Sequence, residues 1–396
     1  MTTYQSKIEK LIAELCPNGV GFKGLGELED SGLIKLGRGN VISKKDILET
    51  PGDYPVYSSS AAGSGEIGRY GKYMFDDERI TWSIDGGGRL FYRPIGKYSV
   101  TNVSGWLKNL DENRINTKYL YFVLTDEWMK KIFDYTHKAH PSVIRNEYKI
   151  PLPPLAIQEE IVKILNSFTE LEAELEAELE ARKKQYKYYR DDLLDISEDV
   201  EKLPLEKIFN FKNGYTPSKA KSEYWGNGDT PWFRMEDIRE NGRILNKSMQ
   251  LVNKSGIKGK GVFPANSIII ATSATIGEHA LVTIPHLTNQ RFVSLSIKDE
   301  FKQKLNIKFL FYYFYLLDEW CLKNTTKSSF ASVDMIGFRK FSIPILPLVE
   351  QERIVLILDK FDALVSDISI GLPAELSARR SQYEYYREKL LSFKEF

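Results

Sequence analysis

Apolar side chains recur at steps of three and four residues in two long stretches of the chain, the pattern of a helix that packs along one seam. In the first stretch the seam positions are Ile161, Ile164, Phe168, Leu171, Leu175, Leu179, Arg182, Tyr186, Tyr189, Leu193 and Ile196. In the second they are Ile354, Ile357, Phe361, Leu364, Ile368, Leu372, Leu376, Arg379, Tyr383, Tyr386 and Leu390. Each stretch predicts a helix of roughly 40 residues, about 60 Å long at 1.5 Å per residue.

A helix of this length needs a partner, because most helical stability comes from packing of the apolar face. Each stretch follows a globular segment, so we expect the two helices to pair with each other in antiparallel orientation. A coiled coil between separate copies of the chain is the alternative. Gly371-Leu372-Pro373 should break or kink the second helix. The side chains expected in the helix interface are Ile164, Phe168, Leu175, Tyr186, Tyr189, Ile357, Phe361, Leu364, Tyr383 and Tyr386.

The other segments contain short runs rich in β-branched and aromatic residues, separated by glycines, which is typical of mixed α/β globules. Ile80–Ile84 and Arg89–Tyr92 are predicted strands, and Lys118–Ile132 is a predicted helix. A further helix is predicted within residues 1–16. Proline clusters at 151–154 and 344–347 favour extended backbone and end each globule.

We therefore expect an α+β protein in which two mixed α/β domains are separated by a pair of long antiparallel coiled-coil helices, with an internal pseudo-two-fold repeat. The expected boundaries are 1–150 for an N-terminal helix plus the first globular domain, 151–196 for the central helix, 197–342 for the second globular domain and 343–396 for the C-terminal helix.

The chain repeats itself along these boundaries. The segment IPLPPLAIQEEIVKIL from Ile150 returns as IPILPLVEQERIVLIL from Ile343, and ARKKQYKYYRDDLL from Ala181 returns as ARRSQYEYYREKLL from Ala378. Shorter matches within the globules pair Asp53–Tyr57 with Asp229–Phe233, Thr101-Asn102 with Thr288-Asn289, Asn116–Tyr121 with Asn306–Phe311 and Asp126–Trp128 with Asp318–Trp320. The globules are otherwise dissimilar, so one framework is expected to carry two different surfaces.

Composition adds a charge partition to this picture. The chain has 396 residues and a formal net charge of +1. Residues 155–196 hold 11 acidic and 6 basic side chains, whereas residues 197–342 hold 15 acidic and 21 basic ones. A basic globule beside an acidic helix places positive potential where a polyanion could dock, although scattered solvated charge is the plainer interpretation. Two cysteines and no long apolar run or signal pattern favour a cytoplasmic protein.

Catalytic motifs are sparse. The chain has no G-x-x-x-x-G-K-[ST], no H-E-x-x-H and no (N/D)-P-P-(F/Y) tetrapeptide. Two G-x-G-x-x-G matches, at 19–24 and 63–68, lack the strand–turn–helix setting and are interpreted as turn glycines. His137 and His140 are closely spaced but have no second ligand pair, so a surface loop is favoured over a metal site. The chain is predicted to be non-catalytic.

Amide, hydroxyl and basic side chains cluster on predicted loops of both globules. Asn, Gln and Arg pair with adenine and guanine edges, whereas Lys, Ser and Thr serve phosphates. A solvated turn is the plainer interpretation of any one loop, but the duplicated placement favours the set. The candidate DNA-binding residues are Arg38, Asn40, Ser58, Ser59, Arg89, Asn102, His137, Lys138, Lys212, Asn213, Thr216, Lys219, Arg234, Ser273, Asn289, Gln290, Arg291, Lys327 and Ser328.

With two divergent globules, each followed by a P-L-P-P-L…Q-E-x-I-V helix that ends in Q-Y-x-Y-Y-R-x-x-L-L, the sequence resembles the specificity (S) subunit of type I restriction–modification systems. The resemblance covers essentially the whole chain and includes the opening Cys16-Pro-Asn-Gly-Val and Phe22-Lys-Gly-Leu-Gly-Glu27. Its specific part is the pair of helix blocks, because the loops are generic.

The resemblance implies two target recognition domains, each reading one half of a bipartite DNA site. The paired helices would act as a ruler and dock two methyltransferase subunits, which methylate adenine, and motor–nuclease subunits would join for cleavage. The chain itself would need no cofactor, whereas S-adenosylmethionine, Mg²⁺ and ATP would belong to the partners. A helical scaffold that does not bind DNA and an unrecognised nuclease are the alternatives. The recognised DNA sequence cannot be read from such loops.

Overall fold

The computed structural model describes residues 7–59, 63–85, 89–133, 137–259, 261–326, 331–365 and 371–395. Two compact units divide the chain. Unit 1 comprises residues 1–174 and 378–396, and unit 2 comprises residues 175–377. Each unit contains one globule together with parts of both long helical segments, so its limits fall inside the helices rather than at the linear boundaries expected from the sequence.

Unit 1 is a mixed α/β globule built on two small sheets. The larger sheet has the order β2-β8-β5-β6, the smaller has the order β4-β3-β7, and β1 pairs with β9. The helices are α1 (Lys7–Leu15), α2 (Leu25–Asp30), α3 (Lys44–Glu49), α4 (Thr117–Met129) and α5 (Pro141–Glu147). The strands are β1 (Phe22–Gly24), β2 (Ile34–Arg38), β3 (Tyr54–Tyr57), β4 (Glu66–Tyr70), β5 (Arg79–Ser83), β6 (Leu90–Arg93), β7 (Ser99–Val100), β8 (Ser104–Asn109) and β9 (Lys149–Pro151).

Unit 2 repeats this plan. Its sheets have the orders β11-β18-β15-β16-β13 and β14-β12-β17, and β10 pairs with β19. The helices of its globule are α7 (Leu205–Ile208), α8 (Met235–Asn241), α9 (Ile307–Lys323) and α10 (Met335–Lys340). The strands are β10 (Lys202–Pro204), β11 (Phe209–Asn213), β12 (Thr230–Phe233), β13 (Ile244–Leu245), β14 (Leu251–Val252), β15 (Ser267–Ala271), β16 (His279–Val282), β17 (Leu287–Thr288), β18 (Phe292–Ile297) and β19 (Ser342–Pro344).

In both units, the second strand of the larger sheet lies between equivalent neighbouring strands. In unit 1, β8 lies between β2 and β5, and Ile80 faces Leu107. In unit 2, β18 lies between β11 and β15, and Ile268 faces Leu295. These positions are wholly buried, as expected for the β-branched and aromatic runs that predicted the strands. The α+β class predicted from the sequence is therefore confirmed.

The long helical segments differ from each other in continuity. The first is one helix, α6 (Leu155–Leu194, 40 residues), as the seam predicts. The second is described as two helices, α11 (Leu348–Val365) and α12 (Leu372–Leu391). Pro373 lies in the first turn of α12, where its missing N–H leaves no hydrogen bond unmade. The predicted interruption at 371–373 thus coincides with the start of a new helix.

Each unit pairs a piece of α6 with a piece of the second segment. In unit 1 the Phe168 ring lies 5.4 Å from the Tyr386 ring and 6.3 Å from the Tyr383 ring, and Glu172 bonds Arg380 at 2.6 Å. Because the contacts move back along α12 as they advance along α6, the two helices are antiparallel, as predicted.

Unit 2 contains the equivalent aromatic contact. The Phe361 ring of α11 lies 5.4 Å from the Tyr189 ring and 6.4 Å from the Tyr186 ring of α6. Phe361 follows Phe168 by the same 193 residues that separate the repeated proline blocks. The seam residues therefore pair the helices within each unit.

Burial along the seam is uneven. Tyr186 is buried, Tyr383 is half-buried, and Tyr189 and Tyr386 are each 40% exposed. We expect these four rings to be largely buried between the two helices or under methyltransferase subunits. In the chain alone, Tyr189 and Tyr386 each stack on a phenylalanine of the partner helix and stay partly exposed. Leu364, another predicted seam residue, is 38% exposed. Three further residues predicted for the helix interface, Ile164, Leu175 and Ile357, are half-buried.

Within the described residues, no helix combines the length and the apolar character that a bilayer crossing requires.

Candidate nucleic-acid interface

In unit 1, three chain segments meet where β2 and β3 end. Gly39 packs so closely on this junction that an added Cβ would lie 2.3 Å from the carbonyl oxygens of Val100 and Thr101. Asn40 donates its backbone N–H to Val100 O at 3.2 Å, and Thr101 donates to Tyr57 O at 2.9 Å. Only glycine fits such an approach of two backbones, so the sequence Arg38-Gly39-Asn40 is bound to the segment after β7.

Polar side chains surround this junction. Arg38 Nε donates to the carbonyl of Asn102, and Thr101 Oγ1 donates to Ser58 Oγ at 2.8 Å. Arg38 and Asn40 are exposed, whereas Ser58, Ser59 and Asn102 are half-buried. The structure therefore brings together five of the residues proposed from the sequence.

A second loop group of unit 1 lies at the end of β5. Ala139 donates its N–H to Ile84 O at 3.0 Å, and the Trp82 indole donates to Ala139 O at 2.8 Å. Lys138 Nζ bonds Asp85 Oδ1 at 2.8 Å, which ties the exposed Lys138 to the loop after β5.

Two further predicted DNA-binding residues of unit 1, Arg89 and His137, contact other parts of the globule. Arg89 is exposed and donates to Gly63 O at 2.6 Å. The exposed His137 ring stacks on Phe133 at 5.3 Å and lies 3.5 Å from Glu147 Oε1. His140 instead caps α5, so the two histidines do not converge on one ligand. No group of three His, Cys, Asp or Glu side chains suited to a metal ion was found among the residues that the structure describes.

Unit 2 builds the same junction with other side chains. An added Cβ on Gly214 would lie 2.0 Å from Asn289 O, and Tyr215 donates to Thr288 O at 2.8 Å. Thr216 Oγ1 contacts Gln290 Oε1, and Arg291 N donates to Asn289 Oδ1 at 3.0 Å. The exposed members at this junction are Asn213, Gln290 and Arg291.

The loop after β15 joins this junction. Thr272 donates its N–H to Arg291 O at 2.9 Å, and Val333 donates to Thr272 O at 2.9 Å. Ser273 forms an isolated bridge with Ser332. Lys327 and Ser328, which were predicted in the same group, lie outside the described residues.

Three predicted cations of unit 2 have different surroundings. Lys212 Nζ donates to Gly261 O at 2.9 Å, so its ammonium is directed to backbone within the globule. The Arg234 Nε is buried without a hydrogen-bond partner in the described chain, although it lies 3.8 Å from Glu236 Oε2. Lys219 is exposed on a turn. Of these three cations, Lys219 is the exposed one.

Hydrogen bonding corrects one match made on sequence identity. The sequence aligns Thr101-Asn102 with Thr288-Asn289. However, Thr101 donates to Tyr57 O, and in unit 2 the residue that donates to the equivalent Phe233 is Asn289, at 3.1 Å. The parallel ladders agree, since Tyr57 pairs with Val100 and Phe233 pairs with Thr288. The true equivalence is one residue further on, which places Asn102 opposite Gln290.

Arg93 was not predicted from the sequence. It packs against Tyr57, a residue of the junction of unit 1. Its guanidinium carbon lies 3.5 Å from the Tyr57 ring centroid and 4.5 Å from the Phe91 ring centroid, and its Nε donates to Thr81 Oγ1 at 3.0 Å. Burial lowers the pKa of this guanidinium from its ordinary value. The available signal was strand alternation, which puts residues 91 and 93 on one face.

His286 likewise packs against a residue of the junction in unit 2, Phe233, and was also not predicted from the sequence. Its ring is wholly buried, edge-on to Phe233 at 5.8 Å and Phe263 at 5.5 Å. Nδ1 faces Ile284 O at 2.9 Å, so this nitrogen carries the proton. Burial lowers the pKa of His286 to about 4, which keeps the ring neutral beside β17.

The comparisons identify the family. The model of the type I restriction modification DNA specificity domain matches residues 24–181 and 197–378. The EcoprrI specificity subunit of Escherichia coli is 58% identical over 214 residues, which cover 52% of this chain and 53% of that relative. The chain thus spans about half the length of that relative. The EcoR124I/EcoR124II specificity subunit of E. coli is 37% identical over 300 residues, covering 72% of each.

Solved structures agree at the level of the fold. The chain resembles the S subunit of a type I restriction–modification system from M. genitalium, with a TM-score of 0.54, 19% identity and coverage of 95% of this chain and 97% of that one. A chain from a study of type I complex assembly and conformational transition matches with a TM-score of 0.56, 16% identity and coverage of 95% and 98%. The family model matches two successive segments that together make up most of the sequence. This chain therefore belongs to the family of type I restriction–modification DNA specificity subunits.

Proposed function

We propose that this chain is the sequence-recognition subunit of a type I restriction–modification enzyme, and that each unit reads one half of a bipartite double-stranded DNA site. The observation that carries the proposal is the duplicated junction. Gly39 and Gly214 follow the equivalent edge strands β2 and β11 and make the same close approach to backbone, yet the side chains around them differ. A common frame that presents different polar groups suits a protein that reads two different half-sites.

The chemistry of the exposed side chains supports base reading. Arg pairs bidentately with guanine, and Asn or Gln pairs with adenine, in the major groove. Unit 1 offers Arg38 and Asn40 at its junction, whereas unit 2 offers Gln290 and Arg291. The exposed ammonium groups of Lys138 and Lys219 are suited to phosphates, which position a protein on DNA without conferring sequence specificity.

The other subunits of the proposed enzyme would supply the chemistry. We propose that two methyltransferase subunits dock on the paired helices and that motor–nuclease subunits join them. S-adenosylmethionine, Mg²⁺ and ATP would be bound by those partners, and this chain would be non-catalytic. Because the proposed enzyme acts on chromosomal DNA, we propose that it acts in the cytoplasm.

Binding to pooled random DNA tests the proposal. We expect the chain, assembled with its methyltransferase subunits, to retard a random duplex pool and to enrich one bipartite sequence after repeated selection. Affinity should fall by at least about tenfold between about 50 and 200 mM salt, because phosphate contacts release counterions. A helical scaffold would leave the pool unretarded. Metal-dependent cleavage by the chain alone would instead indicate a nuclease.

A further inference from the structure

The loop after β15 contains a backbone conformation that its residue type seldom adopts. Ala274 has a φ of 66°, in the left-handed region. Within the described residues, the other non-glycine residues with positive φ are Asn227 and Asn266. Asparagine is enriched in this region because its short polar side chain can bond the local backbone, whereas the Cβ of alanine crowds the following carbonyl oxygen. Ala274 is therefore the one of these three residues whose side chain opposes its own backbone.

Contacts on both sides hold Ala274 in this conformation. Thr275 donates its N–H to Ser273 O at 3.0 Å, which closes a tight turn around Ala274. Ser273 forms a bridge with Ser332 on one side of the turn, and the hydroxyl oxygen of Thr275 is buried on the other. A strained conformation persists where the surrounding structure fixes it in this way.

The residues that precede this turn match in the two units. Ile84 donates its N–H to Val103 O at 2.9 Å, and Thr272 donates to Arg291 O at the same distance. Both acceptors directly follow equivalent residues of the two junctions. Ile84 in unit 1 therefore corresponds to Thr272 in unit 2.

The first half of the chain has a glycine at the place of Ala274. The second residue after Ile84 is Gly86, and the second residue after Thr272 is Ala274. Gly86 lies outside the described residues, so the comparison concerns the residue type alone. Glycine populates the left-handed region without steric cost. Unit 2 thus has a methyl group at a place where glycine would suit the backbone better.

This methyl group lies near the proposed base-reading residues of unit 2. Ala274 is exposed, and it follows by two residues Thr272, which is bonded to Arg291. Consecutive Cα atoms are about 3.8 Å apart, so the Cα of Ala274 lies within about 8 Å of that of Thr272. Successive bases along a strand are about 3.4 Å apart. DNA read by Arg291 would therefore bring Ala274 within reach of a neighbouring base pair.

The chemistry of a methyl group limits what it can recognise in the major groove. Of the four bases, thymine alone presents a methyl group there, and alanine is a side chain that makes this apolar contact. Alanine has no rotatable bond that moves its Cβ, so the backbone alone sets the direction of the methyl group. The fixed left-handed turn around Ala274 therefore gives the contact a fixed position.

We propose that Ala274 reads a thymine in the half-site of unit 2, by contact of its methyl group with the C5-methyl group of the base. The proposal rests on the proposed function in taking double-stranded DNA as the ligand. It goes further in assigning a specificity-determining residue that is neither an amide nor a cation, and in naming the chemical group that it recognises.

Replacement of thymine by uracil tests the contact, because uracil lacks only the methyl group. The chain, assembled with its methyltransferase subunits, would bind duplexes of its selected bipartite sequence in which each thymine is replaced in turn. We expect one replacement, in the half-site whose recognition changes in Arg291→Ala, to weaken binding about fourfold, the contribution of one buried methyl group. Ala274→Gly should bind the thymine duplex about fourfold more weakly than the wild type and the uracil duplex equally well.

Asn266→Gly is the matched control. It replaces another exposed residue of positive φ by glycine, but at the opposite end of β15, which spans about 16 Å at 3.3 Å per residue. This variant should keep the preference for thymine. Urea unfolding separates a lost contact from lost folding, because Ala274→Gly relieves strain and should raise the unfolding midpoint of unit 2.

The possible outcomes distinguish this inference from the proposed function. Wild-type binding that is insensitive to every uracil replacement, or an Ala274→Gly variant that keeps the wild-type preference for thymine, refutes the inference alone, since the bipartite sequence is still bound. A lowered unfolding midpoint of Ala274→Gly refutes the strain argument and the inference with it. A wild-type assembly that selects no DNA sequence refutes the proposed function, and the inference falls as well.

Discussion

At the scale of single residues, one buried glutamine in each unit joins the long helix to its globule. Gln158 accepts the N–H of Asn116 at 2.9 Å and donates to Pro153 O at 2.7 Å and Arg114 O at 3.0 Å. Gln351 makes the same three bonds in unit 2, to Asn306 N, Leu346 O and Lys304 O. One amide therefore ties the entrance of the long helix to the cap of the next globular helix.

We predict that Gln158→Leu destabilises unit 1 and that Gln351→Leu destabilises unit 2. Leucine fills a similar volume but leaves one buried N–H and two carbonyls unpaired, and each unpaired group costs about 1–3 kcal/mol. Denaturant unfolding monitored by hydrogen exchange should show a loss of at least about 2 kcal/mol confined to the altered unit. A loss below about 0.5 kcal/mol would mean that solvent replaces these bonds.

We predict that the buried His286 makes unit 2 sensitive to acid. Its pKa is lowered to about 4 in the folded chain from 6.5. Between those values the unfolded chain binds a proton that the folded chain does not, so the free energy of unfolding decreases as the pH falls through 6.5 towards 4. His286→Asn should remove this dependence, worth about 2 kcal/mol at about pH 5. Denaturation midpoints measured near pH 5 and pH 7.5 test this, and equal acid sensitivity of variant and wild type would contradict it.

Residue-scale features were the least accessible from the sequence. The identical pairs Thr101-Asn102 and Thr288-Asn289 suggested an alignment that the hydrogen bonds shift by one residue. Identity of two short dipeptides cannot register a strand, because the register depends on which backbone groups pair. Arg93 and His286 were missed because each packs against a ring far away in the sequence, Tyr57 for Arg93 and Phe233 for His286.

At the scale of elements, local periodicity made the helices predictable. The seam along α6 extends through 40 residues, and a period of three and four is set by the helix itself rather than by distant contacts. The stacking of Phe168 and Phe361 on tyrosine pairs follows from that seam. Exposure of Tyr189 and Tyr386 did not follow, because the seam does not specify how deeply each ring enters the interface.

We predict that Phe361→Ala lowers the stability of unit 2 by about 2–4 kcal/mol, since it removes a ring that contacts Tyr186 and Tyr189. Tyr385→Ala is the matched control, because this ring is 61% exposed and its loss should cost within about 0.5 kcal/mol. Urea unfolding curves of the two variants decide the matter. Equal costs would show that the Phe361 contact contributes little.

The tandem Glu-Ala-Glu-Leu sequence within α6 leads to a prediction about spacing. Residues 171–179 lie in unbroken helix. Four further residues add about 6 Å and about 400° of rotation, or one turn plus roughly 40°. One base pair of DNA adds about 3.4 Å and about 36°, so the rotations nearly agree, and bending would absorb the difference in length. Inserting one more Glu-Ala-Glu-Leu after Leu179 should lengthen the non-specific spacer by about one base pair.

Mapping of methylated sites tests the insertion. Both half-site sequences should remain those of the wild type while the distance between them changes. An unchanged spacer, or an altered half-site, would show that the helix does not measure the distance.

At the scale of the whole molecule, the chain builds two compact units by interleaving. Unit 1 takes the first part of α6 with the second part of α12, and unit 2 takes the intervening residues. The repeat in the sequence made two domains and two helices predictable. It could not show that each unit borrows a helical segment from the other half of the chain, because that assignment depends on tertiary contacts such as Phe168 with Tyr386.

The two junctions are proposed to read DNA independently of each other, and selection from a DNA library tests this most directly. The enzyme assembled with its methyltransferase subunits would be offered duplexes in which both half-sites are randomised, and the bound DNA would be sequenced. Arg38→Ala with Asn40→Ala alters the junction of unit 1, and Gln290→Ala with Arg291→Ala alters that of unit 2. All four side chains are exposed, so both pairs should fold normally.

We expect each pair of substitutions to relax base preference in one half-site, a different one for each pair, with a cost of about 1–3 kcal/mol per lost bidentate contact. The spacer and the other half-site should be unchanged. Relaxation of both half-sites by either pair, or of the same half-site by both, would contradict the claim that each unit reads its own half of the DNA.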